Sequence, residues 1–259
     1  MTDAVAVNVN AAGISDPGRV RSVNQDSYLV SRSLNLYAVA DGVESTRGSE
    51  MASKMAVELL EKQLKAVDIS EDATPPFDDK PGIPLAARAL KYAVREVNRE
   101  IYKFGRENPK LQGVGTTLTA VWVCQGRAFI GHVGDSRAYL IRNSILTQLT
   151  SDHTTLAERN PDQNPDLELY QQPENVSEHE LSRALGINPD VQVQLGSGLP
   201  APGDHFVLCT DGLYGQIRDF EINQITCKDQ PQTACRKMVQ LANQRGGRDN
   251  IAVVVISIE

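Results

Sequence analysis

The 259-residue sequence predicts a mixed α+β domain whose helices and strands come in separate blocks. Two long stretches between residues 49 and 104 repeat apolar residues at the helical period. Residues 116–150 instead break into short β-branched or aromatic runs divided by Gly or Asn turns. A last apolar run, "IAVVVISI" at 251–258, reads as a core strand.

Each element follows from a local pattern. "SYLV" (27–30) and "LNLYAVA" (34–40), split by Ser/Arg/Ser, predict a hairpin. Residues 49–66 predict an amphipathic helix, with Met51, Met55, Leu59 and Leu60 as its apolar face. Residues 68–82 are acidic and Pro-rich and predict a solvated surface loop. Residues 84–104 predict a second helix through Leu85, Ala89, Leu90, Ala93, Val97, Ile101 and Phe104, with Gly105 as its C-cap. "TTLTAVWVC", "RAFIGHV", "RAYLIR" and "ILTQLT" predict an antiparallel meander. Residues 152–180 are polar and predict a long irregular excursion. "HFVLCT" predicts a buried strand, and "QTACRKMVQLANQRG" a helix closed by Gly246. No composition break marks a boundary, so residues 1–259 are expected to form one domain.

A net charge of -7 argues against a nucleic-acid binder, which needs a basic face. It suits carboxylate binding of divalent cations, as it suits many acidic proteins without metal. Cys124, Cys209, Cys227 and Cys235 form no C-x-x-C pair, which predicts reduced thiols and no zinc site. The N-terminus lacks the marks of a signal peptide, and no apolar run approaches the roughly 18 residues of a membrane span. A cytoplasmic protein with no membrane or nucleic-acid partner is expected. Nothing suggests an oligomer seam, so a monomer is expected.

The chemistry gathers at strand ends. Asp41-Gly42 closes the run "LYAVA", and Asp211-Gly212 follows "HFVLCT". Asp135 lies just past a third strand, while Asp249 and Asp26 lie just before two more. Strand ends meeting at one sheet edge can collect such carboxylates in one cleft. Their mutual repulsion raises their pKa values unless a cation neutralises them, and hard divalent cations prefer oxygen ligands. A glycine after the ligand lets its own carbonyl approach an ion. Each aspartate taken singly reads equally as a turn or cap, and spacing alone does not establish that the five converge.

These segments resemble, in order, the metal-dependent protein phosphatase family, the protein phosphatase type 2C fold. The resemblance runs from about residue 12 to residue 258. It rests on "VRSVNQD", "VADG", "GTTLTAV", "GHVGDSRAYLI", "LTSDHT", "LSRALG", "FVLCTDGLY" and "GRDNIAVVVI". It implies a four-layer α-β-β-α sandwich, two antiparallel sheets flanked by helices. It implies a pair of Mn2+ or Mg2+ ions, with Asp41 bridging them, the Gly42 carbonyl on one, and Asp211 and Asp249 completing the site. Asp26 would hold a metal-bound water. Arg21 would grip the substrate phosphate, and Asp135 would serve a third, weaker metal of bacterial members, shared with Asp211. The implied reaction is phosphoserine or phosphothreonine hydrolysis by a metal-activated water without a covalent intermediate. The implied partners are a phosphorylated protein and an antagonist Ser/Thr kinase.

The sequence also departs from the family. Val43-Glu44-Ser45 follows the Asp-Gly where many bacterial relatives carry Met-Gly-Gly and many eukaryotic ones a His. Glu44 reads as an outer-shell ligand or as a solvent-facing residue. Gln25 stands where many relatives have Glu, which costs one charge. Residues 150–186 correspond to the family's flap; the edges match and the centre does not. His153 reads as a flap anchor, and His132, His179 and His205 as structural or surface residues. An active phosphatase and a pseudophosphatase that binds phosphoproteins without turnover are the two readings, and the full aspartate set favours the first.

Overall fold

The computed structural model describes residues 8–43, 48–70, 82–111, 113–154 and 181–259. The chain begins with β1 (Val9–Asp16), β2 (Asp26–Ser31), β3 (Leu36–Asp41), α1 (Ser49–Ala66) and α2 (Leu85–Glu107). A 3-10 turn (Pro109–Leu111) leads into β4 (Leu118–Cys124), β5 (Arg127–Val133), β6 (Arg137–Arg142) and β7 (Ile145–Gln148). Then come β8 (Gln194–Gly198), β9 (His205–Cys209), α3 (Asp211–Tyr214), α4 (Asp219–Lys228), α5 (Pro231–Gln244) and β10 (Ile251–Ile258). Two five-stranded sheets result, ordered β1-β10-β9-β6-β7 and β2-β3-β4-β5-β8, with every pair antiparallel.

The alternation of side chains along each strand assigns the layers. Tyr37 and Val39 of β3 meet Val254 and Ile256 of β10 in an apolar core between the two sheets. Leu36, Ala38 and Ala40 point the other way, into a core with α1 and α2. Ile251, Val253 and Val255 of β10 face a third core with α3, α4 and α5. The chain is thus an α-β-β-α sandwich. "IAVVVISI" is apolar at nearly every position because both of its faces are covered.

The structure corrects three readings. The strands from 118 to 148 are not one meander: β4 and β5 lie in one sheet, β6 and β7 in the other. The chain changes sheets at Gly134, whose φ is +111°, and a Cβ there would lie 2.6 Å from Thr117. Met51 is not on the buried face of α1 but 45% exposed; small residues Ala52, Ser53 and Ala56 let the helix approach the sheet. Gly105 does not cap α2, which runs on to Glu107 and ends at Asn108. A Cβ at Gly105 would sit 3.1 Å from Val114 Cγ1, so the glycine admits the following turn. Gly246 follows Arg245, the C-cap of α5, with φ +123°, and so closes that helix as read. The 27–40 hairpin and the 49–66 helix stand as read, and all four cysteines are free. Most of the acidic loop, residues 71–81, lies outside the described residues.

His132 and His153 pack ring against ring beneath the sheet change, with centroids 4.6 Å apart. The Ser151 carbonyl can only accept, so His132 Nε2 donates to it at 3.1 Å; Nδ1 lies 2.8 Å from the Thr119 hydroxyl, whose one hydrogen is shared with the Ser136 carbonyl at 2.9 Å. Burial lowers the His132 pKa from 6.5 to about 4, and burial with the neighbouring ring lowers that of His153. The unfolded chain therefore takes up these protons first. Stability is whole above pH 6.5 and drains away as the pH falls toward about 4. Urea unfolding should show a loss of up to about 3 kcal/mol from His132 across that window. His132→Gln should flatten the profile there; a slope as steep as wild type would assign it to other groups.

Candidate metal centre

The site forms where β3, β5 and β9 end and β2, β4, β6 and β10 begin. Asp26 and Asp41 are direct cross-strand partners in the β2–β3 pair. The Asp41 N–H donates to Thr117 Oγ1 at 2.9 Å. Its carbonyl accepts from the Thr117 N–H and the Thr116 hydroxyl, each at 2.8 Å. Thr117 Oγ1 in turn shares a 2.7 Å hydrogen bond with Ser136, next to Asp135. Gly42 is required by close approach: a Cβ there would lie 2.6 Å from the Ser49 carbonyl oxygen, where α1 begins. Its N–H donates to the Gln25 carbonyl at 3.1 Å.

The second sheet supplies Asp211 and Asp249. The Thr210 hydroxyl crosses between the sheets to donate to Asp26 Oδ2 at 2.7 Å. Asp26 Oδ1 is buried and has no hydrogen-bond partner among the described residues. Asn250 is 4% exposed and ties down the segment that carries Arg21 and Asp26. Its Oδ1 accepts from the Gln25 N–H, and its amide donates to the Pro17 and Val23 carbonyls, all at 2.9 Å. A Cβ on Gly212 would lie 1.9 Å from the Asn250 carbonyl, so the two aspartate-bearing turns fit only with glycine there.

The carboxylates burden one another. Burial first, then the charge of Asp211, pushes Asp26 up to about 7 against the Thr210 hydrogen bond. Burial and the charges of Asp26, Asp211, Asp135 and Asp249 hold Asp41 well above the usual carboxylate range. Burial and Asp211 push Asp135 to about 7, and burial and Asp249 raise Asp211. Among the described residues no three His, Cys, Asp or Glu side chains stand as a finished metal cage. Asp249 is instead engaged by Arg21, whose Nε and Nη2 donate to its two oxygens at 3.0 and 2.7 Å. A partly buried, mutually repelling set of carboxylates, with a carboxylate oxygen of the buried Asp26 unpartnered among the described residues, is what a divalent cation relieves, so the residues fit such an ion.

Asp135 is joined to α3 through its carbonyl, which accepts from the Tyr214 hydroxyl at 3.1 Å. Arg137 stacks 3.8 Å over the Tyr214 ring and forks onto Asp152 at 3.0 and 2.7 Å. His153 is buried; its Nδ1 accepts from the Gly134 N–H, and its carbonyl accepts from the Ser182 N–H across the flap base. His132 is buried and His205 half-buried. Val43 is held by its N–H on the Gly115 carbonyl at 3.0 Å. Glu44, Ser45, His179 and the flap centre at 155–180 lie outside the described residues.

A family profile described as "Protein phosphatase 2C" matches residues 19–254. The chain belongs to the protein phosphatase 2C family. The serine/threonine phosphatase Stp of Listeria monocytogenes is 31% identical over 253 residues, 93% of each chain. The solved structure of the Mycobacterium tuberculosis serine/threonine phosphatase PstP/Ppp has a TM-score of 0.75 at 31% identity, covering 98% of this chain and 99% of that one. A structure of the PstP catalytic domain in complex with two manganese ions has a TM-score of 0.73 at 32% identity, covering 97% and 98%. No described helix of this protein phosphatase 2C member is long and apolar enough to cross a membrane.

Asn250→Ala removes three bonds and leaves the half-buried Gln25 N–H without its Asn250 acceptor. It should cost about 2–4 kcal/mol in urea unfolding and lower phosphatase turnover through displacement of Arg21 and Asp26. Wild-type stability together with wild-type turnover would show that the segment positions itself.

Proposed function

We propose that this metal-dependent protein phosphatase hydrolyses phosphoserine and phosphothreonine in proteins at the carboxylate cluster. The observation that carries the reading is Asp41: a strand-end carboxylate, burdened by four others, beside a glycine whose backbone alone fits there. Asp41, the Gly42 carbonyl, Asp211 and Asp249 would hold two Mn2+ or Mg2+ ions, and Asp135 with Asp211 a third. Bound ions would supply a water of lowered pKa and positive charge for the phosphoryl oxygens.

The protein's own groups do the positioning. Thr210 fixes the Asp26 carboxylate so that Oδ1, which no donor among the described residues satisfies, would accept a hydrogen from the attacking water. Arg21 sits at the rim with its side chain 30% exposed and forks onto both oxygens of Asp249, a contact it would give up when Asp249 binds an ion and the fork turns to the phosphate. Its planar fork suits a phosphate dianion and would neutralise charge developing in the transition state. Residues 1–259 would act as one cytoplasmic domain, with a flap at about 150–186 beside the site and a Ser/Thr kinase opposing it.

Release of phosphate from a phosphothreonine peptide should require Mn2+ or Mg2+ and stop in EDTA. Asp41→Asn should lower turnover by about 100-fold or more while its melting temperature in EDTA stays at or above that of wild type, because a neutral side chain relieves the repulsion. Folded protein inactive with either ion would replace catalysis by phosphoprotein binding without turnover.

Arg21→Ala should mainly raise KM for the phosphopeptide; an unchanged KM would remove Arg21 from the phosphate.

A further inference from the structure

A cavity of about 550 Å³ opens beside Arg21, between the segment before β2 and the first turn of α1. Its volume falls within the roughly 300–1,000 Å³ of ligand pockets. Val23, Met51 and Leu111 supply its apolar lining, with Arg21, Gln25 and Glu50 also on its walls. Val23 is 52% exposed and Met51 45%. Single exposed apolar residues are ordinary, but here they converge on one cavity.

The three come from three separate parts of the chain: the loop before β2, α1 and the 3-10 turn. Met51 lies off the buried stripe of α1. Leu111 is seated against Gly48, whose φ is +83° and whose Cβ, were there one, would lie 2.8 Å from Leu111 Cδ2. Val23 is anchored through its carbonyl by Asn250.

We propose that this cavity is a substrate subsite that takes an apolar side chain close in sequence to the phosphorylated residue. Arg21 belongs both to the cavity wall and, through Asp249, to the carboxylate cluster. A polypeptide whose phosphate reaches Arg21 therefore brings its neighbouring side chains, spaced about 3.3 Å per residue, to the cavity mouth. The apolar lining favours Leu or Phe over a hydroxyl, while Glu50 at the rim makes a basic side chain the competing occupant. The proposal rests on the phosphatase reading and adds a preference that phosphate recognition alone does not give.

The test is a set of phosphothreonine peptides in which Leu, Ser or Lys is placed at each position from three before to three after the phosphoresidue. One Leu position should raise kcat/KM about 10-fold over Ser. That ratio should fall toward one in Met51→Ser and Val23→Ser. A flat scan, a preference for Lys, or a ratio unchanged in both variants overturns the subsite. Wild-type turnover of p-nitrophenyl phosphate, which carries no neighbouring residue, tests the phosphatase reading separately. If that reaction is absent, fluorescence anisotropy of the same peptides still decides: tighter binding of the Leu peptide supports the subsite, and equal binding overturns it.

Discussion

Repulsion among clustered, partly buried carboxylates is the constraint on which the rest of the site depends. Asp26, Asp41, Asp135, Asp211 and Asp249 act on one another across two sheets, and burial, full at Asp26 and partial at the others, reduces the water that would screen them. A fold that spends stability on such a cluster needs a compensating positive charge. In the structure Arg21 supplies part of it at Asp249. Divalent cations would supply the remainder, and that need connects the geometry to phosphoryl chemistry.

The sandwich delivers these groups by topology. Each sheet turns its strand ends toward the same edge, so one register relation, Asp26 opposite Asp41, and one sheet change, at Gly134, set most of the spacing. Polar residues then lock the edge. Thr210 reaches across the sheets, Thr117 and Ser136 join the Asp41 and Asp135 turns, and Asn250 stitches down the loop that carries Arg21. Glycines at 42 and 212 stand where neighbouring backbone leaves no room for a Cβ.

Much of this was legible in the sequence, for identifiable reasons. Apolar periodicity marked α1, α2, α5 and the central strands because both faces of the sheets are covered. The aspartates were visible as carboxylates that interrupt apolar runs. Local pattern did not reveal β1, β8 or α4: β8 reads "QLGSG", with two glycines and little apolar character. Nor did it show the partners that span the chain, such as Thr210 with Asp26 across 184 residues, Asn250 with Gln25, or Arg137 with Asp152. Those contacts exist only once the sheets face each other. Met51 misled for a related reason, since helical spacing identifies an apolar residue without saying that a cavity, not the core, lies beside it.

Calorimetric titration of Mn2+ into EDTA-stripped, dialysed wild-type protein tests the cation claim most directly, because it reads the cluster without depending on any substrate. The account predicts saturable uptake of at least two ions per chain and a melting temperature that rises with free Mn2+. Folded protein that takes up no Mn2+, with a melting temperature indifferent to it, would contradict the claim that these carboxylates are gathered to hold cations.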